Sequence, residues 1–376
     1  MNRFAYIVFD VIETLLRMSP IPCRTGLVKI GNPGRNSPVL LTCNFHLTVQ
    51  RVKRALKGRD AYLLVANSRG INVWCAAAGG HFTNHDVISA LKTSGIEELV
   101  DHRQVMLPQL AAAGIETTDI RKKAGWKVIW GPVYAKDIPP FIDGGLKKDA
   151  NMRNVKFTTL QRLEAAVSWA FPISLLATII VGFFGREVIL PLVVLIWGTA
   201  LLMFLAFPLY SRRLKPGGKG LNFQQGGIQV ILLAVVLSGV IVCGLLTGGL
   251  TWMFLLRWGL ISLAVVLILS IDLSGSTPVL KSGFAEDKTL TVVLDEGRCR
   301  GVSLCEQVCP RNCYEMDNAR HKAATPRIDR CVRCGACIIQ CPFDALYFKN
   351  PEGGVVTPEE VRRFKTNMTG KRSVQT

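Results

Sequence analysis

The amino-acid sequence predicts a multidomain protein with an N-terminal α/β domain, a four-helix transmembrane bundle and a C-terminal α+β domain built round clustered cysteines. Three observations predict it. Strand-like apolar runs alternate with helical periodicity between residues 20 and 150, four long apolar stretches lie between 160 and 275, and eight of the 12 cysteines fall between 299 and 341. A chain of 376 residues also exceeds one ordinary hydrophobic core, so several domains are expected on length alone.

In the first part, residues 27–31 and 39–45 read as strands, with Asn32-Pro33-Gly34 as a turn between them. Leu47, Val52 and Leu56 fall at helical spacing, and 61–66 is a continuous apolar run of buried-strand length. Strand, helix, strand implies a right-handed crossover and a parallel sheet, hence a Rossmann-like α/β domain over 20–150. Residues 84–91 and 107–113 read as helices, the second closing at Gly114, and 126–130 as a late strand.

The stretch Gly70-Ile71-Asn72-Val73-Trp74-Cys75-Ala76-Ala77-Ala78-Gly79-Gly80-His81-Phe82 lies where the third strand-like run gives way to the helix beginning near Asn84. Open α/β sheets place their ligands at such edges. A lone cysteine is more often a buried structural residue, so the weight on Cys75 comes from the rest of the chain. The small residues beside it, with Gly79 and Gly80, let backbone approach a large ligand closely. No GxGxxG or phosphate loop is present, which disfavours a nucleotide. His81 and His85 are four apart but lack an HExxH pattern, and with His102 they read as surface or capping residues.

The apolar block divides into four spans, 165–184, 188–210, 227–246 and 251–271, each close to the roughly 20 residues that cross a bilayer. The connector between the second and third carries Arg212, Arg213, Lys215 and Lys219, so positive-inside logic puts that loop and both termini in the cytoplasm of a multi-pass protein of the cytoplasmic membrane. Pro172 lies inside the first span, and Pro191 and Pro208 near the ends of the second. Arg257 either snorkels to the interface or marks a polar pathway. No span contains an acid or histidine before Asp272, which favours an anchor over a transporter. The formal charge of +18 is spread along the chain with no nucleic-acid motif, so no nucleic-acid partner is expected. Asp10 and Glu13 within the apolar start argue against a signal peptide.

Between 285 and 350, Cys331-Val-Arg-Cys334-Gly-Ala-Cys337-Ile-Ile-Gln-Cys341-Pro342 is the run of bacterial two-cluster ferredoxins. The earlier run, Cys299-x-x-Val302-x-x-Cys305-x-x-x-Cys309-Pro310, has Val302 where its second ligand should be. Crossing the runs assigns Cys331, Cys334, Cys337 and Cys309 to an intact [4Fe-4S] cluster and Cys299, Cys305 and Cys341 to the other. The second set holds [3Fe-4S], or [4Fe-4S] with a differentiated iron, or recruits Cys313. Structural zinc does not need interleaved runs of this kind. Residues 351–376 read as a polar, basic, partly disordered tail.

Taken together, these parts resemble the mercury-methylating corrinoid proteins fused to their partner dicluster ferredoxin, a family itself similar to the corrinoid proteins of the acetyl-CoA pathway. Asn72-Val73-Trp74-Cys75-Ala76-Ala77 matches the family's cap-helix motif, and Ala78-Gly79 stands where the family has Gly-Lys. The likeness extends to Gly31-Asn32-Pro33, Ser37-Pro38-Val39-Leu40, the spans and Asp272-Leu273-Ser274-Gly275-Ser276-Thr277-Pro278. It implies a cobalt corrinoid held by the α/β domain, with Cys75 as lower axial ligand and Asn72, Val73, Trp74, Ala76 and Ala77 around it. It further implies methyl transfer from a methyl-folate type donor, or that donor's methyltransferase, toward a soft electrophile such as Hg(II), with a reductant feeding the ferredoxin. A second reading is a membrane-bound iron–sulfur electron-transfer protein without methyl transfer.

Overall fold

A computed structural model describes residues 8, 11–17, 19–183, 185–211, 226–273, 290–364, 366–367 and 370–371. The basic connector with Arg212, Arg213, Lys215 and Lys219, most of the first ten residues, 274–278 and the last five residues lie outside the described residues.

Five strands form the sheet of the first part: β1 Gly26–Ile30, β2 Val39–Cys43, β3 Ala61–Ala66, β4 Gln104–Leu107 and β5 Lys127–Trp130, in the order β1-β3-β2-β4-β5. β2 runs parallel to β3 and to β4, and β4 parallel to β5, with α1 His46–Ala55 as the crossover between β2 and β3. The expectation of a parallel sheet needs one correction, because β1 pairs antiparallel with β3 at the edge. A second concerns 107–113: Leu107 ends β4 opposite Trp130, and Gln109–Ala113 is a 3-10 turn. Pro108 between them has no N–H to donate and sets the boundary.

Side-chain alternation builds the two faces. Leu40, Leu63 and Val65 pack with Val49, Val52, Ile138 and Phe141 on one side, while Val39, Leu41, Leu64 and Ala66 pack with Val87, Leu91 and Ile120 on the other. The covering helices are α2 Val73–Gly79, α3 Asn84–Thr93, α4 Thr117–Ala124 and α5 Ile138–Asp143. Leu63 and Leu64 are 0 % exposed, each contributing about 1.5–3 kcal/mol of burial. Trp126 closes one end of this core, and its buried N–H donates to Glu97 Oε1 at 2.9 Å.

Residues 1–19 and 156–284 cluster as a separate unit. Its four helices long and apolar enough to cross a membrane are α6 Thr159–Gly182, the segment Arg186–Leu205 containing α7 Ile189–Leu205, Gly227–Leu246 within α8 Gly226–Leu246, and Trp252–Ser270 within α9 Trp252–Leu273. α6 starts earlier than residue 165 because Thr158 and Gln161 form a capping box. The second expected span is not continuous to 210, since the chain breaks after α7 into a single turn, Phe207–Tyr210, that carries Pro208. Ala166, Ala170, Ile196, Ala200 and Leu269 form part of the interior of this unit. Arg257 lies on the exposed side of α9 with its Cζ 5.6 Å from the Trp258 ring centroid, the placement of a side chain that reaches outward.

The cysteine-rich part contains β6 Thr291–Leu294, α10 Leu304–Val308, the hairpin of β7 Glu315–Asp317 and β8 Lys322–Ala324, α11 Ala336–Gln340, β9 Leu346–Lys349 and β10 Val355–Val356. The sheet order is β10-β9-β6, antiparallel throughout. The expectation of a polar tail from 351 is corrected here. β10 pairs with β9, and α12 Pro358–Phe364 buries Val361 to 1 % exposure while Arg362 donates to Cys341 O at 2.8 Å. This part and residues 20–155 cluster as one compact unit despite their separation in the chain.

Candidate functional site

Cys75 lies in the first turn of α2, at the edge where β2 and β3 end. Asn72 caps the helix, its side-chain oxygen accepting the Cys75 N–H at 2.9 Å. The approach to that cap is fixed by buried Asn44, just after β2, whose Oδ1 accepts from Ser68 N at 2.8 Å, Ser68 Oγ at 3.0 Å and Gly70 N at 3.0 Å. One amide thus ties the end of β2 to the loop between β3 and α2. Cys75, Trp74 and Asn72 are half-buried.

The small residues after Cys75 have a different use from the one expected. Ala76 and Ala77, both 0 % exposed, belong to a cluster with Ala111, Ala112 and Ala113 of the 3-10 turn, and Ala78 is 8 % exposed. A Cβ on Gly114 would meet Ala77 O at 2.7 Å, Ala77 Cα at 2.9 Å and Phe82 O at 2.9 Å, so the two segments touch backbone to backbone. Smallness here serves close packing of the helix on the 3-10 turn. Gly79 is exposed at the helix end, and Gly80, at φ +77°, forms the left-handed C-cap. The histidines do not gather: His102 Nε2 lies 3.0 Å from Ser37 O, and no group of three His, Cys, Asp or Glu side chains among the described residues is placed to hold a single metal ion.

The C-terminal thiols divide between two pockets. Cys299, Cys305 and Cys341 line the first together with Val302, while Cys309, Cys313, Cys331, Cys334 and Cys337 line the second. The crossed assignment of the two runs is thereby brought together in space. Recruitment of Cys313 to the incomplete set is not, because Cys313 sits in the other pocket. There Cys313 is the largest cause that lowers the Cys309 and Cys331 thiols, Cys309 to about 7, while Cys313 itself is pushed up. Further donors aim at sulfur: Cys313 N to Cys309 Sγ at 3.3 Å, Arg333 N to Cys331 Sγ at 3.3 Å, Tyr314 Oη to Cys337 Sγ at 3.1 Å and Ala323 N to Cys299 Sγ at 3.4 Å. Such donors stabilise sulfur that carries charge, as iron-bound thiolates do. Burial pushes Cys305 up to about 12 in the absence of iron, so binding of metal there displaces a proton.

Residues 15–142 match the family described as CO dehydrogenase/acetyl-CoA synthase delta subunit, and residues 327–347 match the 4Fe-4S binding domain. The chain carries a domain of each family. The chain is 36% identical over 126 residues to the acetyl-CoA decarbonylase/synthase complex subunit gamma of Methanopyrus kandleri, covering 33% of this chain and 27% of that one. It is 38% identical over 120 residues to the same subunit of Methanothermobacter thermautotrophicus, covering 31% and 26%, and 39% identical over 129 residues to subunit gamma 2 of Methanosarcina mazei, covering 33% and 27%. The chain therefore spans about a quarter of the length of the curated relatives it matches.

The synthase-family domain and the 4Fe-4S module are joined through the 3-10 turn that backs α2. Val308 and Ala336 belong to the same apolar cluster as Ala111–Ala113, with Leu304 and Cys334 packed against it. Gln340, 3 % exposed, donates from Nε2 to Ala112 O at 2.9 Å and Ile115 O at 2.5 Å, while its Oε1 accepts from Thr117 at 3.2 Å. Lys148 makes a second tie, donating to Gln109 Oε1 at 2.8 Å, Gly131 O at 3.1 Å and Gln307 O at 2.8 Å. Burial first, then the nearby Arg153 charge, brings the Lys148 ammonium down to about 7. Arg153 in turn pairs with Glu306 of α10 at 2.9 Å. Asn44, Lys148 and Gln340 are the residues that reading the sequence missed. Gln340 lies inside the second cysteine run, where attention falls on the thiols, and Lys148 sits in a Gly-rich basic stretch that reads as surface.

Proposed function

We propose that this chain is a membrane-anchored corrinoid protein that transfers methyl groups, and that its own ferredoxin module serves as reductant of the bound cobalt. The observation that carries this reading is the position of Cys75. It is half-buried in the first turn of a capped helix at the ligand-binding edge of a synthase-family domain, and the thiol-rich module packs on the turn that backs that helix. When bound, a corrinoid would supply a cobalt centre that takes a methyl group from a methyl-folate type donor and gives it to a soft electrophile, Hg(II) being the acceptor the resemblance implies.

The chain's residues have separate tasks in this proposal. The Cys75 sulfur is the group that would hold the corrinoid metal, as a strongly donating thiolate. Asn72 and Asn44 hold the turn that presents it. Ala76, Ala77 and Gly114 lock the helix against the 3-10 turn so that the sulfur keeps one position. Where the family has Gly-Lys, Ala78 is buried and Gly79 is exposed, so this chain meets its acceptor without a lysine at that surface.

The four long helices are assigned to the cytoplasmic membrane, with both termini and the 212–219 connector in the cytoplasm. Leu176, Leu190 and Leu246 are 60, 72 and 83 % exposed, a surface that suits lipid better than water. Expressed anaerobically with a corrinoid supply and a reporter at Thr376, the chain should sediment with membranes, show a cytoplasmic reporter and hold about one cobalt per chain after purification. Cobalt-free protein with both iron–sulfur clusters present would overturn the corrinoid assignment, and a periplasmic reporter would overturn the four-span topology.

A further inference from the structure

The two cysteine runs are offset copies, and their second positions, Val302 and Cys334, have opposite surroundings. Cys334 packs against the apolar cluster that the module shares with the synthase-family domain, the cluster that Gln340 clamps through Ala112 and Ile115. Val302 is 41 % exposed, and Phe343, which lines the same pocket, is 45 % exposed. Cys334 of the complete set thus meets the domain that holds Cys75, while Val302, at the matching place in the incomplete run, meets solvent.

The solvent side is also basic. Arg300 lines the pocket and is exposed. Beside it, Arg298 pairs with Asp295 and Arg320 with Glu296, while Lys322 donates to the backbone oxygen of Cys299 at 2.7 Å, so Arg300 and Lys322 are the cations in excess among these groups. Two exposed apolar side chains within a cationic rim match a partner with an acidic rim and an apolar contact at its own redox centre.

We propose that the Val302–Phe343 face is the docking surface for an acidic, low-potential one-electron carrier protein, so that electrons enter at the Cys299, Cys305, Cys341 site and leave toward the synthase-family domain from the Cys309, Cys331, Cys334, Cys337 site. This rests on the iron–sulfur part of the proposed function and adds a direction to it. At each passage the carrier is oxidised by one electron and the entry cluster reduced by one; the entry cluster then returns to its oxidised state as the second cluster gains that electron. No bond to carbon or proton transfer is involved.

Two measurements on the full-length, cluster-loaded chain test this without any corrinoid. A dissolved gadolinium chelate should broaden the electron-spin resonance of the three-thiolate cluster and leave that of the four-thiolate cluster sharp. Equal broadening, or the reverse, overturns the assigned direction. With reduced acidic flavodoxin as probe, Arg300→Glu should slow second-order cluster reduction by about tenfold at low salt, and added salt should slow the unmodified chain. Reduction by dithionite should be the same in both, which shows that the clusters are intact. An unchanged flavodoxin rate in Arg300→Glu overturns the docking surface. Failure of the corrinoid reading would instead appear as missing cobalt with both of these results retained.

Discussion

Cys75→Ala is expected to abolish methyl transfer, a loss of at least about 100-fold, while the chain still folds and still carries both clusters. The expected separation of activity from stability follows from where the residue sits. Cys75 is half-buried, its backbone N–H is held by Asn72 whatever its side chain, and alanine is the better helix former, so loss of the sulfur costs about 1 kcal/mol or less. The packing that fixes α2 comes from Ala76, Ala77 and Gly114, none of which touches the change. Activity assays alongside iron content and thermal unfolding check this. Methyl transfer within a few-fold of the unmodified chain would show that the sulfur is no ligand of the reacting centre.

Val302→Cys is expected to give a chain that carries two [4Fe-4S] clusters. The incomplete pocket already has Cys299, Cys305 and Cys341 on its walls, and residue 302 lines the same pocket at the sequence position of the missing thiol. A thiol there completes the set without displacing a core side chain, since Val302 is 41 % exposed. In the oxidised protein the [3Fe-4S] spin signal, or the exchangeable fourth iron, should disappear, and iron content should rise toward eight per chain, about four for each complete cluster. Cys313→Ala should leave the three-thiolate cluster unaltered and disturb the other, because Cys313 lines that other pocket together with Cys309 and Cys331. Two ordinary [4Fe-4S] clusters in the unmodified chain, insensitive to Cys313→Ala, would contradict this account.

Features that local pattern determines were legible in the sequence. The apolar run 61–66 is β3, the period-3.6 residues Val52 and Leu56 lie in and just after α1, and the interleaved CxxCxxC and CP spacings place the thiols in the two pockets. What escaped depends on tertiary neighbours. β4 is four residues long and runs into Pro108 and an Ala-rich 3-10 turn, so a helical composition masked a strand. The side of α2 on which Ala76 and Ala77 lie is set by Gly114, distant in sequence, and no periodicity in a seven-residue helix reveals it. Gln340 and Ala112 are 228 positions apart, and the joint they make is why two parts that read as separate form one compact unit. The tail misled through its charge: α12 needs only Val361 and Arg362 to attach to the module.

The central claim is that the Cys75 sulfur ligates a corrinoid cobalt, and cobalt K-edge X-ray absorption on the purified, corrinoid-loaded chain tests it most directly. The account predicts one sulfur scatterer in the cobalt shell of the unmodified chain and none in Cys75→Ala, with the corrinoid ring nitrogens unchanged. A shell of nitrogen and oxygen only, the same in both proteins, would contradict it.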